Sequence, residues 1–246
     1  MAADGHPADR GDGTVSGDGT VSGREGAAAL RVFLADDERM VRTALRAILG
    51  AEADMEVVGE ATTGARAVPL IRELRPDIVL MDVRMPEIDG IRATEQVLAG
   101  MPEPPRIIVV TTFENDAYVY EALRAGASGF LLKRCGAEEL VQAVRMVARS
   151  DSLLFPAAVR ALAARHAGER AAGEAARALG ARLSERERAV LRQMTAGLTN
   201  AEIADRLGVG PATVKTHVAG VLAKLGVRDR TQAVIAAYEC GFVRPG

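Results

Sequence analysis

The sequence contains few of the residues that build disulfide frameworks and zinc sites. Its 246 residues include only two cysteines, Cys135 and Cys240, which lie far apart in the chain. Its three histidines, His6, His166 and His217, do not cluster. Two distant thiols give neither a disulfide framework nor a metal-binding spacing, so this composition indicates a reducing compartment.

Long hydrophobic runs are also missing. No apolar run approaches the ~20 residues that a transmembrane helix needs, and the first residues lack the apolar segment of a signal peptide. Nevertheless, 48% of the 246 residues are hydrophobic, which suffices for a sizeable core, and the length suits two ordinary domains. We therefore expect a cytoplasmic protein that has no membrane partner.

The formal net charge of −2 conceals opposite charges in two parts of the chain. Residues 29–150 contain 15 Lys and Arg against 19 Asp and Glu, whereas residues 181–246 contain 10 against 6. A basic C-terminal part indicates a polyanionic partner for that part only. Because small basic domains are common, the charge alone does not identify that partner.

Hydrophobic periodicity divides the chain into a tail, an α/β part, a linker and a helical part. Residues 1–28 repeat GDGTVS twice and are rich in Gly, Ala and Asp, which predicts a disordered tail. Within residues 29–150, five apolar strand-like segments alternate with five helical segments. This alternation predicts a parallel sheet covered on both faces. Residues 151–180 are predicted to be a linker with one short helix near 156–166.

The C-terminal residues 181–246 carry the start signals of successive helices. We expect four helices here and hence a small all-α domain. The third helix, about residues 211–225, would bury a valine and leucine face and leave Thr216 and Ala219 on the opposite face. The start signals are two capping boxes, Ser184 with Glu187 and Thr199 with Glu202, and Pro211 at a first helical position.

The predicted strands of the α/β part lead into acids, a hydroxyl and a lysine. Ligands of open parallel sheets bind outside the carboxyl ends of the strands, so these side chains should meet at one edge. A single acid in such a place is often only a cap or a solvated loop residue, but the joint arrangement is much more specific. The residues are Asp36 and Asp37 at the end of the first strand, Asp82 at the end of the third, Thr111 at the end of the fourth and Lys133 at the end of the fifth.

Three carboxylates in one place repel one another unless a cation neutralises them. Mg²⁺ suits such a site, because it prefers oxygen ligands, uses few carboxylates and keeps bound waters. A carboxylate beside a divalent ion and a lysine can accept a phosphoryl group. The metal and the lysine would stabilise the equatorial oxygens, and the acid would become an aspartyl-phosphate.

Four segments, FLADDE, IVLMDVRMPEIDG, VVTTF and GASGFLLK, resemble the receiver domain of bacterial two-component response regulators. The resemblance covers about residues 30–150 and implies a five-stranded parallel (βα)5 flavodoxin-like fold. It also implies that Asp82 is the phosphoacceptor. The other implied roles are Asp37 as a direct Mg²⁺ ligand, Asp36 as a ligand through water, Asp82 and the Arg84 backbone carbonyl as further ligands, Lys133 and Thr111 as partners of the phosphoryl oxygens, and Phe130 as the switch aromatic.

Three further segments, LSERERAVL, GLTNAEIADRLGVGPATVKTHV and KLGVRDRTQAV, resemble the LuxR-type DNA-binding domain. The resemblance implies a helix-turn-helix whose third helix enters the major groove of double-stranded DNA. It implies base contacts from Lys215 and Thr216, and backbone phosphate contacts from Thr199, Asn200 and His217. Without the resemblance, that helix is equally well explained as the surface helix of a small bundle, with Lys215 merely solvated.

Together the two resemblances indicate a NarL/FixJ-type response regulator, a DNA-binding transcription regulator and not an enzyme. A sensor histidine kinase would phosphorylate Asp82, and phosphorylation would either release the C-terminal domain or drive formation of a homodimer on paired half-sites. Two alternatives stay open. One is a receiver-like regulator that works without phosphate, and the other is an aspartyl-phosphate hydrolase. The second lacks its usual D-x-D pattern after the first strand, where this chain has adjacent acids.

Overall fold

The computed structural model describes residues 28–112, 116–149 and 172–243, together with Met1 and residues 158, 159 and 161. Almost all of the predicted tail, and most of the predicted short helix near 156–166, lie outside these residues. The described residues form an α/β part and a helical part, in the order that the sequence predicts.

The α/β part is built around one parallel sheet of five strands in the order β2-β1-β3-β4-β5. All four pairs of neighbouring strands are parallel, so the carboxyl ends of the strands lie at the same edge. The prediction of a five-stranded parallel α/β fold is therefore confirmed. The strands are β1 (Leu30–Ala35), β2 (Met55–Ala61), β3 (Ile78–Asp82), β4 (Arg106–Thr111) and β5 (Gly129–Leu132). The helices are α1 (Arg39–Gly50), α2 (Gly64–Leu74), α3 (Gly90–Gly100), α4 (Asp116–Arg124) and α5 (Ala137–Arg149).

Strand β3 is buried along its whole length because helices cover both faces of the sheet. Its residues alternate between two apolar clusters. Ile78 and Leu80 belong to one cluster, and Val79 and Met81 belong to the other. Since side chains of a strand point alternately to opposite faces, this central strand is fixed from both sides. Asp82, its last residue, is therefore held rigidly at the sheet edge.

Five helices make up the described C-terminal part. The capping boxes at Ser184 and Thr199 are both present, and Gly208 and Gly226 end two helices in the left-handed conformation that favours glycine. The helices are α6 (Ala172–Arg182), α7 (Glu185–Thr195), α8 (Asn200–Leu207), α9 (Pro211–Leu225) and α10 (Arg230–Glu239).

Helix α6 corrects the sequence-based prediction of a linker that reaches residue 180. Its alanines and arginines have high helix propensity, which outweighs the cost of Gly173 and Gly180. The helix is also joined to the C-terminal part: Leu179 packs against the core, and Arg188 donates a hydrogen bond to the carbonyl oxygen of Gly180 at 3.0 Å. The C-terminal part is thus one helix larger than the four helices predicted.

Candidate functional site

The carboxyl edge of the sheet brings the predicted acids and the lysine together. Strand β1 ends at Ala35 and is followed by Asp36 and Asp37, while β5 ends at Leu132 and is followed by Lys133. Because β3 pairs with both β1 and β4 in the sheet, Asp82 lies between the two loops. One oxygen of each of the three aspartates lies within 4.8 Å of the other two.

The three aspartates offer the donor set that a hard divalent cation prefers. Asp36 and Asp82 are buried, whereas Asp37 is exposed at the mouth of the cluster. All donors are carboxylate oxygens, and the open side at Asp37 leaves room for water ligands. This chemistry fits Mg²⁺, which binds through few carboxylates and keeps several waters.

Lys133 lies at the centre of the same cluster of charges. Its Nζ atom is 2.8 Å from an oxygen of Asp36, 2.8 Å from one of Glu38 and 3.1 Å from one of Asp82. Burial by itself would lower the pKa of Lys133, but hydrogen bonds to these acids raise it above its ordinary value. The ammonium is therefore charged throughout the physiological range and balances part of the negative charge.

The carboxyl of Asp82 differs from an ordinary surface carboxyl. Burial raises its pKa to about 6, although the charge of Lys133 acts in the opposite direction. The nearby carboxylate of Asp36 adds to the rise, and a hydrogen bond from the backbone N–H of Arg84 reduces it. A cation placed beside Asp82 would favour its ionised, nucleophilic form.

The loop after Asp82 folds back on the end of β3. The backbone N–H of Gly90 donates to the carbonyl oxygen of Val83 at 2.9 Å. A Cβ atom at Gly90 would lie only 1.9 Å from the carbonyl oxygen of Asp82, so glycine is required for this close approach. Asp89 then caps α3 by accepting a hydrogen bond from the backbone N–H of Arg92 at 2.8 Å.

Arg42 positions the first acidic loop, a role that sequence reasoning missed. Its Nη1 atom donates to the backbone carbonyl oxygens of Asp36 at 2.7 Å and Asp37 at 3.2 Å. Its Nε atom contacts Glu60 at 3.3 Å. The guanidinium thereby fixes the loop that presents both aspartates. A repeating Arg on the polar side of α1 is too common a feature for the sequence alone to have indicated this.

Thr111, the predicted partner of a phosphoryl oxygen, and Phe130, the predicted switch aromatic, are both buried, with 8% and 9% of their surface exposed. The carbonyl oxygen of Thr111 accepts a hydrogen bond from the backbone N–H of Lys133 at 2.8 Å, which joins the ends of β4 and β5. Phe130 belongs to the apolar cluster that also contains Val119 and Leu123 of α4. The end of β4, strand β5 and helix α4 therefore form one packed unit.

Helix α9 in the C-terminal part presents the face predicted to meet DNA. Val214, Val218 and Val221 are buried against the other helices. Lys215 and Thr216 are exposed, whereas His217 is partly buried. Small residues between exposed polar ones let a helix approach a duplex closely, and Lys215 is free to extend toward a base or a phosphate.

Thr199 and Asn200 stand at the start of α8 and already have partners inside the domain. The Thr199 hydroxyl caps α8, and the side-chain oxygen of Asn200 accepts a hydrogen bond from Arg230 at 2.9 Å. Arg230 is itself buried and also donates to the carbonyl oxygen of Leu198. Backbone N–H groups at the N-terminus of α8 can contribute to a phosphate contact at this helix start.

Glu187 and Lys224 join α7 to α9. Lys224 Nζ lies 2.6 Å from a carboxylate oxygen of Glu187, and this partner lowers the pKa of Glu187 to about 2. A Cβ atom at Gly220 would lie 2.6 Å from the same carboxylate, so the contact depends on glycine there. Lys224 thus supports the position of α9.

Comparisons with known proteins agree with both parts of this description. Residues 32–145 match the response regulator receiver domain, and residues 181–237 match the luxR family of bacterial regulatory proteins. The chain is also 40% identical over 211 residues to the transcriptional regulatory protein LiaR of Bacillus subtilis, an alignment that covers 85% of this chain and 97% of LiaR. The chain belongs to the two-component response regulators with a LuxR-type DNA-binding domain.

Two further comparisons support this assignment. An uncharacterized transcriptional regulatory protein of Bacillus subtilis, YxjL, is 40% identical over 223 residues, which cover 87% of this chain and 98% of YxjL. A solved structure of a LuxR-family two-component response regulator from Aurantimonas has a TM-score of 0.52 and 31% identity, and covers 57% of this chain and all of its own. Among the described residues, no helix is both long enough and apolar enough to span a membrane.

The receiver domain and the DNA-binding domain meet through the start of α10. Asp229 accepts a hydrogen bond from the Ser128 hydroxyl at 2.7 Å, and the Thr231 hydroxyl donates to the carbonyl oxygen of Ser128 at 2.6 Å. Gln232 donates to the carbonyl oxygen of Leu123 at 2.8 Å. Ser128, Asp229 and Thr231 are all buried. The loop between α4 and β5 is thus held by the last helix of the response regulator.

A second set of contacts extends along α4. The Tyr120 hydroxyl donates to Glu239 at 2.7 Å, and Arg124 Nε lies 3.1 Å from the same carboxylate oxygen. Burial, followed by the hydrogen bond with Glu239, raises the pKa of Tyr120 to about 12, so this hydroxyl keeps its proton. Helix α10 is therefore covered by the receiver domain at both of its ends.

Proposed function

We propose that this response regulator is phosphorylated on Asp82 by a sensor histidine kinase, and that phosphorylation controls how it binds DNA. The observation that carries the proposal is the position of Asp82. It is a buried carboxylate at a sheet edge, within 3.1 Å of the Lys133 ammonium and within 4.8 Å of oxygens of two further aspartates. No metabolic substrate is needed to explain this arrangement, and the activity expected beyond phosphoryl acceptance is at most slow autodephosphorylation.

Asp36, Asp37 and Asp82 are the residues proposed to hold Mg²⁺, with the backbone carbonyl of Arg84 as a further ligand. When bound, the ion would supply positive charge to the phosphoryl oxygens and to the carboxylates around them. The other groups belong to the chain. An oxygen of Asp82 attacks phosphorus, the bond from phosphorus to the donor breaks, and the donor leaves with the electron pair. Lys133 stabilises the transferred oxygens, and Thr111 donates a hydrogen bond to one of them.

The path from Asp82 to the DNA-binding domain runs through α4 and β5 in this proposal. Movement of Thr111 toward a phosphoryl oxygen would alter the packing of Phe130. Phe130 lies two residues beyond Ser128 in the chain, and Ser128 bonds to Asp229 and Thr231. A shift of β5 would therefore weaken the hydrogen bonds that hold α10.

Lys215 and Thr216 are the proposed base contacts, and Thr199, Asn200 and His217 the proposed phosphate contacts. Lys215 and Thr216 are exposed while α10 is covered by the receiver domain. Control through phosphorylation is therefore proposed to act on α10 and on the formation of a homodimer, since the reading face of α9 is already open. A homodimer would place two recognition helices about 34 Å apart on the duplex.

Phosphodonor is expected to tighten DNA binding only when Mg²⁺ is present. Duplexes enriched from a random pool by the acetyl-phosphate-treated chain provide the probe. Affinity for them is measured by fluorescence anisotropy with acetyl phosphate and Mg²⁺, and again after chelation with EDTA. Binding that is tight and equal under all conditions would favour the phosphate-independent alternative. Continuous turnover of phosphate esters would instead favour the hydrolase.

Lys215→Ala is expected to weaken DNA binding and its dependence on salt. If Lys215 contacts a base, its loss should cost about 1–3 kcal/mol of binding free energy. If it contacts a phosphate, its loss should reduce the slope of log affinity against log salt concentration by about 1. Arg186→Ala is the matched control, because it removes one positive charge at an exposed position of α7, outside the proposed DNA contacts. Equal effects of the two variants would contradict the assignment of Lys215.

A further inference from the structure

Glu38 is a third acid in contact with Lys133, and the phosphoryl transfer described above gives it no role. An ammonium has three N–H donors, and three carboxylates surround that of Lys133, those of Asp36, Glu38 and Asp82. The carboxylates differ sharply in exposure. The side chains of Asp36 and Asp82 are 2% and 8% exposed, whereas that of Glu38 is 56% exposed.

The backbone of Glu38 is fixed although its side chain reaches solvent. Its N–H donates to Asp36 Oδ1 at 2.9 Å, and its carbonyl oxygen accepts from the N–H of Arg42 at 3.1 Å. Glu38 occupies the cap position of α1, but its side chain makes no capping hydrogen bond. The carboxylate is turned instead to Lys133, at 2.8 Å. The loop therefore holds Glu38 in place for one contact, and that contact is with Lys133.

A phosphoryl group on Asp82 brings further negative oxygens to the Lys133 ammonium, and these compete with the carboxylates already in contact with it. Asp36 is buried, and leaving a buried carboxylate without its counter-charge is costly, whereas Asp82 gives up its own charge when it becomes an acyl phosphate. Glu38 is exposed, so water solvates its carboxylate as soon as the contact breaks, and the pair itself contributes little. Glu38 is the partner whose displacement costs least.

We propose that Glu38 is a positioning residue that holds Lys133 in the resting pocket and is displaced by the incoming phosphoryl group. During transfer, the bond between Asp82 and phosphorus forms, the bond to the donor breaks, and one N–H of Lys133 moves from Glu38 to a phosphoryl oxygen. No proton is transferred in this exchange. This inference rests on the proposed role of Asp82 as phosphoacceptor. It adds that the contact between Glu38 and Lys133 slows phosphorylation of the unphosphorylated protein.

Glu38→Gln is expected to speed phosphorylation of the full chain by acetyl phosphate. Weakening an exposed ion pair of this kind should raise the second-order rate constant by roughly twofold to fivefold. The control is Glu56→Gln, which removes the same charge at an exposed position near the start of β2, at the opposite edge of the sheet. Rates are measured by mass spectrometry at saturating Mg²⁺, at low and at high salt. The ratio of variant to wild type should shrink at high salt, because the Glu38 contact is screened.

Glu38→Asp separates positioning from charge. Aspartate keeps the negative charge but is shorter, and at a cap position its carboxylate turns toward the first N–H groups of the helix. We expect this variant to be faster than wild type as well, because Lys133 is released. If Glu38→Gln is fast while Glu38→Asp matches wild type, charge alone acts and the positioning role is wrong.

Two other outcomes separate this inference from the proposed function. If wild type and all variants are phosphorylated at the same rate, Glu38 does not hold Lys133 back, although Asp82 remains the acceptor. If wild type is not phosphorylated at all under these conditions, the proposed function fails first. Equal acceleration by Glu56→Gln would also overturn the inference, since general charge repulsion would then explain the effect.

Discussion

Asp82→Asn is expected to reduce Mg²⁺-dependent labelling by acetyl phosphate to background. The amide of asparagine has nearly the shape of the carboxyl but provides no nucleophilic oxygen. It also removes one of the three carboxylates proposed to hold the ion. The labelled residue is identified by mass spectrometry of the intact chain and of its peptides, after reaction with and without EDTA.

Asp89→Asn provides a matched control for this experiment. Asp89 is an exposed acid in the same loop and caps α3 through a hydrogen bond from the N–H of Arg92. Asparagine caps helices about as well as aspartate, so this variant should fold and label normally. Persistent labelling of the Asp82 variant, or an equal loss in the Asp89 variant, would refute the assignment of Asp82 as phosphoacceptor.

Ser128→Ala is expected to separate the two domains without phosphate. The change removes the hydroxyl that donates to Asp229 and leaves a carboxylate oxygen in a buried interface without that donor. Such a loss costs about 1–3 kcal/mol. It should shift the equilibrium between domains in contact at α10 and domains apart by roughly 5-fold to 150-fold toward the latter. Small-angle scattering and limited proteolysis report this shift directly, and phosphodonor should add less to DNA binding than in wild type.

The choice of Ser128 leaves both domains intact. The other carboxylate oxygen of Asp229 accepts a hydrogen bond from the backbone N–H of Gln232 at 3.0 Å. This bond caps α10, so the helix should still form. Thr43→Ala is a suitable control, because its hydroxyl bonds only within α1, to the carbonyl oxygen of Arg39. If Ser128→Ala scatters and is cleaved like wild type, the interdomain contact at α10 does not restrain the domains.

Helical periodicity over residues 38–50 predicts one apolar face of α1 that includes Met40, Leu45 and Leu49. In the structure Leu45 and Leu49 are buried, but Met40 is 85% exposed. Periodicity identifies which residues share a face of a helix, whereas the extent of the neighbouring surface decides how much of that face is covered. The same limit applies to α6, which the sequence predicts as the end of a linker, whereas packing against the C-terminal domain favours a helix.

The sequence predicted those residues of the candidate site that stand at the ends of strands. Each acid, the threonine and the lysine end or directly follow an apolar strand, and parallel strands place such residues at one edge. Glu38 and Arg42 were not predicted. Both act through side chains that reach across the loop, and no pattern in the sequence specifies the direction of a long side chain.

The sequence by itself determined the two domains, the parallel sheet, the cluster of strand-end acids with Lys133 and the helix-turn-helix, because these features follow from local periodicity and from which residues end each strand. Only the tertiary structure decided that Lys133 is shared among three carboxylates and that Ser128 holds Asp229 across the domain interface. The contact of Lys133 with Glu38 and that of Ser128 with Asp229 join residues that are 95 and 101 positions apart in the chain. Their geometry depends on how whole elements pack, which no local pattern of residues encodes.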